Sequence, residues 1–154
     1  MARVWVLVAD STVARIFSAA SPIGPLEELE TMSHPEGRLR EQDLVTDHSG
    51  RTFDSAGHGR HGKEPQISHK TQGVIRFAGD VASRLESGRN QGEYDAVALV
   101  AEPSFLGMLR DKLSTHTRSR VQLEIGKNLT RLEARDIRKH LPERLYSTLA
   151  TNAR

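Results

Sequence analysis

The densest group of chemically useful residues is the segment Gly57-His58-Gly59-Arg60-His61-Gly62-Lys63-Glu64, in which glycines alternate with basic and imidazole side chains. Glycines let the backbone approach a ligand closely. Arg60 and Lys63 can contact phosphate groups, and the free amides at the start of a following helix favour anions. The pattern fits nucleic-acid binding, although a glycine-rich surface loop without a ligand explains the composition equally well.

Basic residues continue beyond this segment, since residues 57–76 hold four Lys or Arg residues and one acid, a local charge of +3. His61 lies where a general acid or base near neutral pH would help hydrolysis, but no nucleophile and orienting group accompany it at a recognisable spacing. His61 is therefore the one catalytic candidate in the segment. The expected RNA contacts are Arg51, Gly57, Gly59, Arg60, His61, Gly62, Lys63 and Lys70.

Histidines in this region raise the question of a metal site. Five of the seven lie in or beside the same long loop: His34, His48, His58, His61 and His69. His58 and His61 with Glu64 offer nitrogen and oxygen ligands. A loop full of glycine is not preorganised, however, and no helical i, i+4 pair of histidines accompanies it. Solvated histidines are the favoured interpretation, and we expect no metal and no cofactor.

The elements that position these residues follow from hydrophobic periodicity. Apolar residues on both faces predict buried strands, and a weaker pattern with several glutamates predicts an exposed edge strand at 26–33. The predicted strands are residues 3–9, 13–18, 26–33, 96–101 and 120–125. From about residue 34 to residue 65 no period persists, so a long loop is expected, and such loops in compact domains tend to be functional or disordered.

Three helices are predicted from apolar residues at helical spacing. The first runs from about 67 to 87 and ends at Ser87-Gly88, where glycine accepts a left-handed conformation. The second begins at Pro103-Ser104. The third follows a capping box formed by Thr130 and Glu133 and is reorganised at Pro142. The order βββαβαβα predicts an α/β domain with one mixed five-stranded sheet flanked by helices, an order similar to that of ribonuclease-H-like domains.

Two carboxylates end predicted strands that are neighbours in such a sheet. Asp10 follows the first strand and Glu102 follows the fourth, and together they offer ligands to Mg²⁺ for phosphodiester cleavage. A third acid would have to come from the first helix, as Asp80 or Glu86. We favour the simpler interpretation, a turn-forming Asp10 and an exposed Glu102. Serines in turn or cap positions, without a nucleophile elbow, are Ser11, Ser55 and Ser104.

Composition narrows the class of protein. A chain of 154 residues predicts one domain with a single core. The absence of cysteine excludes disulfides, thiolate zinc sites and a cysteine nucleophile. Apolar runs are far shorter than the roughly 20 residues of a membrane span, and no signal-peptide pattern opens the chain, so a cytoplasmic location without membrane contact is expected.

The two parts of the chain differ in charge. Residues 1–56 carry 5 basic and 9 acidic residues, a charge of −4, and residues 57–154 carry 17 basic and 11 acidic residues, a charge of +6. The later part fits a polyanionic partner, although solvated helix faces are the commoner origin of such charge.

Five motifs occur in order along nearly the whole chain. They are Val4-Trp5-Val6-Leu7-Val8-Ala9-Asp10, Gly50-Arg51-Thr52-Phe53-Asp54-Ser55, Gly57-His58-Gly59-Arg60-His61, Val97-Ala98-Leu99-Val100-Ala101-Glu102-Pro103 with Leu106-Gly107-Met108-Leu109-Arg110, and Gly126-Lys127-Asn128-Leu129-Thr130. In these motifs the chain resembles the bacterial host attachment protein family, whose name means protein required for attachment to host cells. That family is distantly similar to the middle domain of archaeal and eukaryotic class I peptide-chain release factors.

The release-factor resemblance implies a translational-machinery version of the ribonuclease-H-like fold, in which the loop before the long helix enters the ribosomal peptidyl transferase centre. Residues 57–62 take that place here. The release-factor motif is Gly-Gly-Gln, whereas this chain has His61-Gly62-Lys63, and Gln66 is out of register. The departure puts peptidyl-tRNA ester hydrolysis in doubt and leaves binding to the ribosome or tRNA. With no room for a codon-reading domain, stop-codon recognition is not expected.

Three functional interpretations stay open. The first is a cytoplasmic RNA- or ribosome-binding factor in rescue or modulation of translation, with attachment to host cells as an indirect phenotype because no export signal is visible. The second is an enzyme, either an ester hydrolase acting through the loop or a metal-dependent nuclease acting through Asp10 and Glu102. The third is a protein-interaction module that uses the acidic stretch from Glu27 to Asp43, which holds 6 acids and 2 arginines.

Overall fold

Strands and helices follow one another along the two parts of the chain that the computed structural model describes, residues 3–34 and 69–145. The strands are β1 (Val4–Ala9), β2 (Val13–Ala19), β3 (Glu27–Ser33), β4 (Ala96–Ala101) and β5 (Val121–Ile125). The helices are α1 (His69–Asn90), α2 (Pro103–Lys112), α3 (Thr115–Arg118) and α4 (Ala134–Lys139). All five predicted strands and the three predicted helices are present, and the short α3 was not predicted.

One sheet contains the five strands in the order β3-β2-β1-β4-β5. The pairs β1–β2 and β2–β3 are antiparallel, whereas β1–β4 and β4–β5 are parallel. The predicted α/β class with a mixed five-stranded sheet flanked by helices is therefore confirmed, and the order is compatible with that of ribonuclease-H-like domains. Because β1, β4 and β5 run in the same direction, their last residues lie together at what we call the carboxyl end of the sheet, and their first residues lie together at its amino end.

Both faces of the sheet are covered, which explains why every residue of β1 and β4 is buried. On one face Leu7 belongs to a core cluster with residues of α1 and α2, including Phe77. On the other face Val6 belongs to a cluster with the C-terminal segment, including Ile137 of α4. Burying one such side chain contributes roughly 1.5–3 kcal/mol. The apolar residues on both faces of β1 and β4 therefore reflect helices packed on both faces of the sheet.

The predicted end of α1 at Ser87-Gly88 was wrong, because the helix continues to Asn90. Gly88 is buried, and a Cβ atom at this position would lie 2.7 Å from the Trp5 ring. The glycine thus permits a close approach of helix and sheet and does not end the helix. The left-handed turn comes four residues later, at Gly92, whose φ angle is 70°.

The predicted capping box of Thr130 and Glu133 was also wrong. Glu133 is itself the N-cap of α4 and makes no side-chain capping hydrogen bond. The Thr130 hydroxyl instead lies 3.1 Å from Asp10 Oδ2 and 2.7 Å from Asn128 Oδ1, so a partner distant in sequence has displaced the local one. The helix ends at Lys139, three residues before Pro142, where the sequence predicted that it would be reorganised.

The predicted loop over residues 34–65 is described only at His34, which follows β3 outside any strand or helix and is buried. Its backbone N–H donates to the Thr12 carbonyl at 2.9 Å, and its ring stacks on Phe77 with centroids 5.3 Å apart. The rest of that loop lies outside the described residues. Among the helices that the structure describes, none is long and apolar enough to cross a membrane.

Candidate functional site at the carboxyl end of the sheet

The carboxyl end of the sheet gathers polar residues from several elements. β1, β4 and β5 all finish there, and Asp10, Glu102 and Gly126 are the residues that follow them. The long helix α1 begins at this end, because it finishes near the start of β4 at the opposite end. In open α/β sheets, ligands characteristically bind outside the carboxyl ends of the strands. A ligand-binding site is therefore expected at this end of the sheet.

Asp10 is half-buried and holds the turn between β1 and β2. Its Oδ1 accepts hydrogen bonds from the backbone N–H groups of Thr12 at 2.8 Å and Val13 at 3.0 Å, and from the Thr12 hydroxyl at 2.9 Å. Its Oδ2 accepts from Asn128 Nδ2 at 3.0 Å and lies 3.1 Å from the Thr130 hydroxyl. Burial alone would raise the pKa of this carboxyl, but the hydrogen bonds from Thr12, Asn128 and Val13 outweigh it and lower the pKa. Asp10 is thus held ionised as a structural acceptor.

Asn128 and Thr130 bring the segment after β5 against the β1–β2 turn. Asn128 Oδ1 accepts from the Thr130 backbone N–H at 3.1 Å, while its amide donates to Asp10. The single hydrogen of the Thr130 hydroxyl can serve one of its two acceptors at a time. Arg15 fixes the same segment by donating to the carbonyl oxygens of Thr130 at 2.8 Å and Leu132 at 2.6 Å. The chain between Gly126 and Leu132 is therefore anchored across the end of the sheet.

Glu102 serves as the N-cap of α2. One carboxylate oxygen accepts from Ser104 N and the other from Phe105 N, each at 3.0 Å, and Pro103 occupies the first turn. Its backbone N–H donates to the Ala9 carbonyl at 3.2 Å, so Glu102 does neighbour Asp10 as the sequence predicted. Each carboxylate, however, is engaged with backbone amides at a turn or a helix start.

The structure supplies no third acid for a magnesium site from the described helix α1. Glu86 lies near the C-terminal end of α1, at the amino end of the sheet, and its carboxylate accepts hydrogen bonds from Ser114 and Thr117. Asp80 is exposed midway along the helix. Within residues 3–34 and 69–145, no group of three or more His, Asp or Glu side chains could hold a metal ion. The favoured interpretation of Asp10 as a turn residue agrees with this geometry. Glu102 was expected to be exposed, and it is instead half-buried and caps a helix.

The long segment that carries the predicted RNA contacts leaves and re-enters the fold at this same end. The described chain stops at His34, directly after β3, and resumes at His69, the first residue of α1. His34 Nδ1 lies 2.9 Å from the Ser11 carbonyl, so the departure point is fixed to the Asp10 turn. The predicted site residues that lie outside the described parts are Arg51, Gly57, Gly59, Arg60, His61, Gly62 and Lys63, together with His48, Ser55, His58, Glu64 and Gln66.

Three cationic side chains lie at this end without an ion pair to any residue in the described parts. Lys70 in the first turn of α1 was predicted as a contact, and it is exposed. Lys127 and Arg131, which flank the anchored Asn128 and Thr130, are also exposed and were not predicted. The signal that could have indicated Lys127 was the motif Gly126-Lys127-Asn128-Leu129-Thr130 directly after a strand, and Arg131 directly follows that motif.

A model of a protein family described as "Protein required for attachment to host cells" matches residues 5–141. The match therefore spans β1 to α4, and it includes both flanks of the segment between His34 and His69. No curated protein matches the chain.

Proposed function

The chain belongs to the family of proteins required for attachment to host cells, and from that premise we propose that it is a cytoplasmic RNA- and ribosome-binding factor. It acts on or near peptidyl-tRNA, in ribosome rescue or modulation, through residues 57–64. Its contribution to attachment is then indirect, through the expression of other proteins.

One observation carries the proposal: the chain leaves the fold at His34 and re-enters it at His69, both at the carboxyl end of the sheet. The segment with Arg60 and Lys63 is thereby joined to the fold at both ends, at the end of the sheet where ligands of open α/β sheets bind. A segment of this length, joined at both ends to a rigid sheet, can be presented to a large partner while the sheet itself stays buried.

Charge at this end supports an anionic partner. Lys70, Lys127 and Arg131 are exposed, and none of them forms an ion pair with a described acid. Lys70 is part of the +3 charge of residues 57–76, and Lys127 and Arg131 add two positive charges at the end of the sheet. Phosphate contacts by such residues release counterions, which makes RNA affinity fall steeply with salt. The proposed site therefore consists of the tethered segment and these three cations.

Binding is the core of the proposal, and hydrolysis is secondary. His61 is the one candidate for general acid or base chemistry, and the chain lacks the Gly-Gly-Gln motif that positions water in the release factors it resembles. The nuclease alternative requires free carboxylates at Asp10 and Glu102, yet both carboxylates accept hydrogen bonds from turn or helix backbone.

Ribosome co-sedimentation from lysate, at low and at moderate salt, tests the proposal. We expect salt-sensitive pelleting of the wild type and its loss in the Arg60→Ala/His61→Ala variant. The matched control is Arg135→Ala/His140→Ala, which removes the same residue types from an exposed part of the chain at and after α4. Pelleting that the Arg60→Ala/His61→Ala change leaves intact, or no pelleting of the wild type, would refute the proposal. A positive result makes peptidyl-tRNA hydrolysis the next assay.

An interaction module for a protein partner is the second candidate, and β3 supplies the observation that favours it. This strand lies at the edge of the sheet, and Leu29 on it is 48% exposed, at a register shift against β2. Only part of the acidic stretch is available there, because Glu28 pairs with Arg15 and Glu30 with Arg84. A partner captured by the wild type but not by Leu29→Asp, and insensitive to nuclease, would favour this function.

A further inference from the structure

A second group of basic residues lies at the amino end of the sheet, opposite the tethered segment. Residues 91–95 connect α1 to β4, and two arginines dock on the carbonyl oxygens of this short connection. Arg3 Nη2 donates to Gly92 O at 2.7 Å, and Arg120 Nη1 donates to Asp95 O at 3.2 Å. Arg3 precedes β1 and Arg120 precedes β5, so they flank the start of β4 on both sides.

Arg118 adds a third guanidinium at this end. Its Nε and Nη2 donate to the carbonyl oxygen of Arg110, at 3.2 and 2.8 Å, where α2 finishes. All three arginines are exposed. We call Arg3, Arg118 and Arg120 the amino-end arginines.

The positive charge of the amino-end arginines is not neutralised by an ion pair within the described parts of the chain. Their partners are backbone carbonyls, which fix the side chains without supplying a full negative charge. Asp95, in the same connection, accepts a hydrogen bond from the backbone N–H of Arg3 at 2.8 Å. The other acids at this end are Glu86 and Glu93, which pair with Arg89 and Arg84, and Asp111 near the end of α2. Arg84, Arg89 and Arg110, by contrast, are paired with glutamates.

The geometry fits phosphate groups. A guanidinium has five N–H donors; Arg3 and Arg120 each use one and Arg118 uses two, so several remain to be satisfied by a ligand. Arginine side chains already held in place lose less conformational entropy on binding and present a fork that matches phosphate oxygens. The exposed large hydrophobic side chains of the described residues are Ile23 and Leu29, and neither belongs to the segments that carry the amino-end arginines. A polyanion is thus favoured over a protein partner.

We propose that the amino-end arginines form a second RNA-binding surface that contacts the phosphate backbone without reading sequence. The choice of RNA among polyanions rests on the proposed function. The surface itself rests on separate residues at the opposite end of the sheet, so the two can fail independently.

The test measures the affinity of the full chain for a fluorescein-labelled oligouridylate by fluorescence anisotropy, from about 50 to about 200 mM salt. The variant is Arg3→Gln/Arg118→Gln/Arg120→Gln. Each lost contact to single-stranded RNA lowers the slope of log K against log salt by about 0.7, so three lost contacts lower it by about 2. The drop in affinity over this salt range then becomes about 20-fold smaller than for the wild type.

Two further variants keep the result interpretable. Arg135→Gln/Lys139→Gln/Arg144→Gln removes the same charge from exposed residues at and beyond α4 and should keep the wild-type slope. Replacing the amino-end arginines by lysine retains the charge and should also keep the slope, whereas a lysine variant as weak as the glutamine variant would indicate a structural defect and overturn the proposal.

The proposal is also overturned if the glutamine variant keeps the wild-type slope, or if the wild type binds no RNA. The variant Arg60→Gln/Lys63→Gln separates the two surfaces. An effect of the amino-end change alone would support this surface and refute the one at the tethered segment, and the reverse result would refute this surface and leave the proposed function in place.

Discussion

Replacing Asp10 by asparagine separates a structural carboxylate from a metal-binding one. The asparagine side chain would keep an oxygen for the Thr12 and Val13 donors, but its amide would place hydrogens where Oδ2 accepts from Asn128. At least one hydrogen bond is lost, and the others are no longer assisted by charge. Hydrogen bonds to charged groups contribute about 1.5–3 kcal/mol and neutral ones about 0.5–1.5 kcal/mol. We therefore expect the free energy of unfolding to fall by about 1–3 kcal/mol at pH 7.

The pH dependence of this loss follows from the lowered pKa of Asp10. A carboxyl with a lower pKa in the folded state stabilises the fold above its unfolded pKa, near 3.8, and this contribution disappears as pH falls through the folded pKa. The difference between wild type and variant should therefore be full at pH 7 and shrink as the pH is lowered below about 3.8. The other carboxyls titrate in both proteins and cancel from the difference.

Urea unfolding at several pH values measures the effect, provided that the m-value is unchanged. Asp80→Asn is the control, since Asp80 is exposed and makes no ion pair within residues 3–34 and 69–145; its effect should stay within about 0.5 kcal/mol. Equal stability of Asp10→Asn and wild type at pH 7, or a difference that does not shrink in acid, would contradict the structural role. Unchanged stability combined with a lost magnesium-dependent cleavage would point back to the nuclease alternative.

Two further predictions concern the contacts of α1. Gly88→Ala should destabilise the fold by about 1–3 kcal/mol, because the added Cβ would lie 2.7 Å from the Trp5 ring. The control Gly79→Ala places its Cβ where nothing lies within 4 Å and should stabilise the fold by about 0.5–1 kcal/mol. Thermal unfolding of both variants measures the difference, and a stabilising Gly88→Ala would disprove the close packing. Glu86 should titrate with a pKa of about 2 in carboxyl NMR spectra, because it accepts hydrogen bonds from two hydroxyls and a guanidinium (Thr117, Ser114 and Arg89). Its stabilising contribution is then lost as pH falls from 4.5 toward 2, and a pKa near 4.5 would disprove the contact between α1 and α3.

Most of the fold could be predicted from the sequence, because the residue pattern of each strand reflects which of its faces are buried. Continuous apolar runs such as those of β1 and β4 are typical of strands covered on both faces, and glutamates such as those of β3 are typical of a strand at the edge of a sheet. The errors came where a residue type has two physical uses. Gly88 looked like a helix terminator and is a packing glycine, and Thr130 looked like a helix cap and is a partner of Asp10. Each use depends on a residue far away in sequence, Trp5 or Asp10, which local spacing does not reveal.

The candidate site was less accessible for a related reason. In the sequence Lys127 and Arg131 resemble other surface cations. They lie at the carboxyl end of the sheet because Asn128 and Thr130 fix their segment beside Asp10. Likewise, nothing local to Arg3 or Arg120 indicates that both dock on the connection at 91–95. Hydrogen bonds to backbone carbonyls carry no residue-type signature, so only the tertiary structure brings such arginines together.

The two basic surfaces are separated by the length of β4, six residues, or about 20 Å at the rise of an extended strand. This exceeds the Debye length of about 10 Å at 0.1 M salt, so neither surface strengthens the other through direct electrostatics. Any joint effect on affinity must come from one RNA that reaches both ends of the sheet, because binding at the first surface raises the local concentration of phosphates at the second. An RNA too short to span the sheet would occupy either surface singly, and the central strands, buried on both faces, would act as the rigid spacer between them.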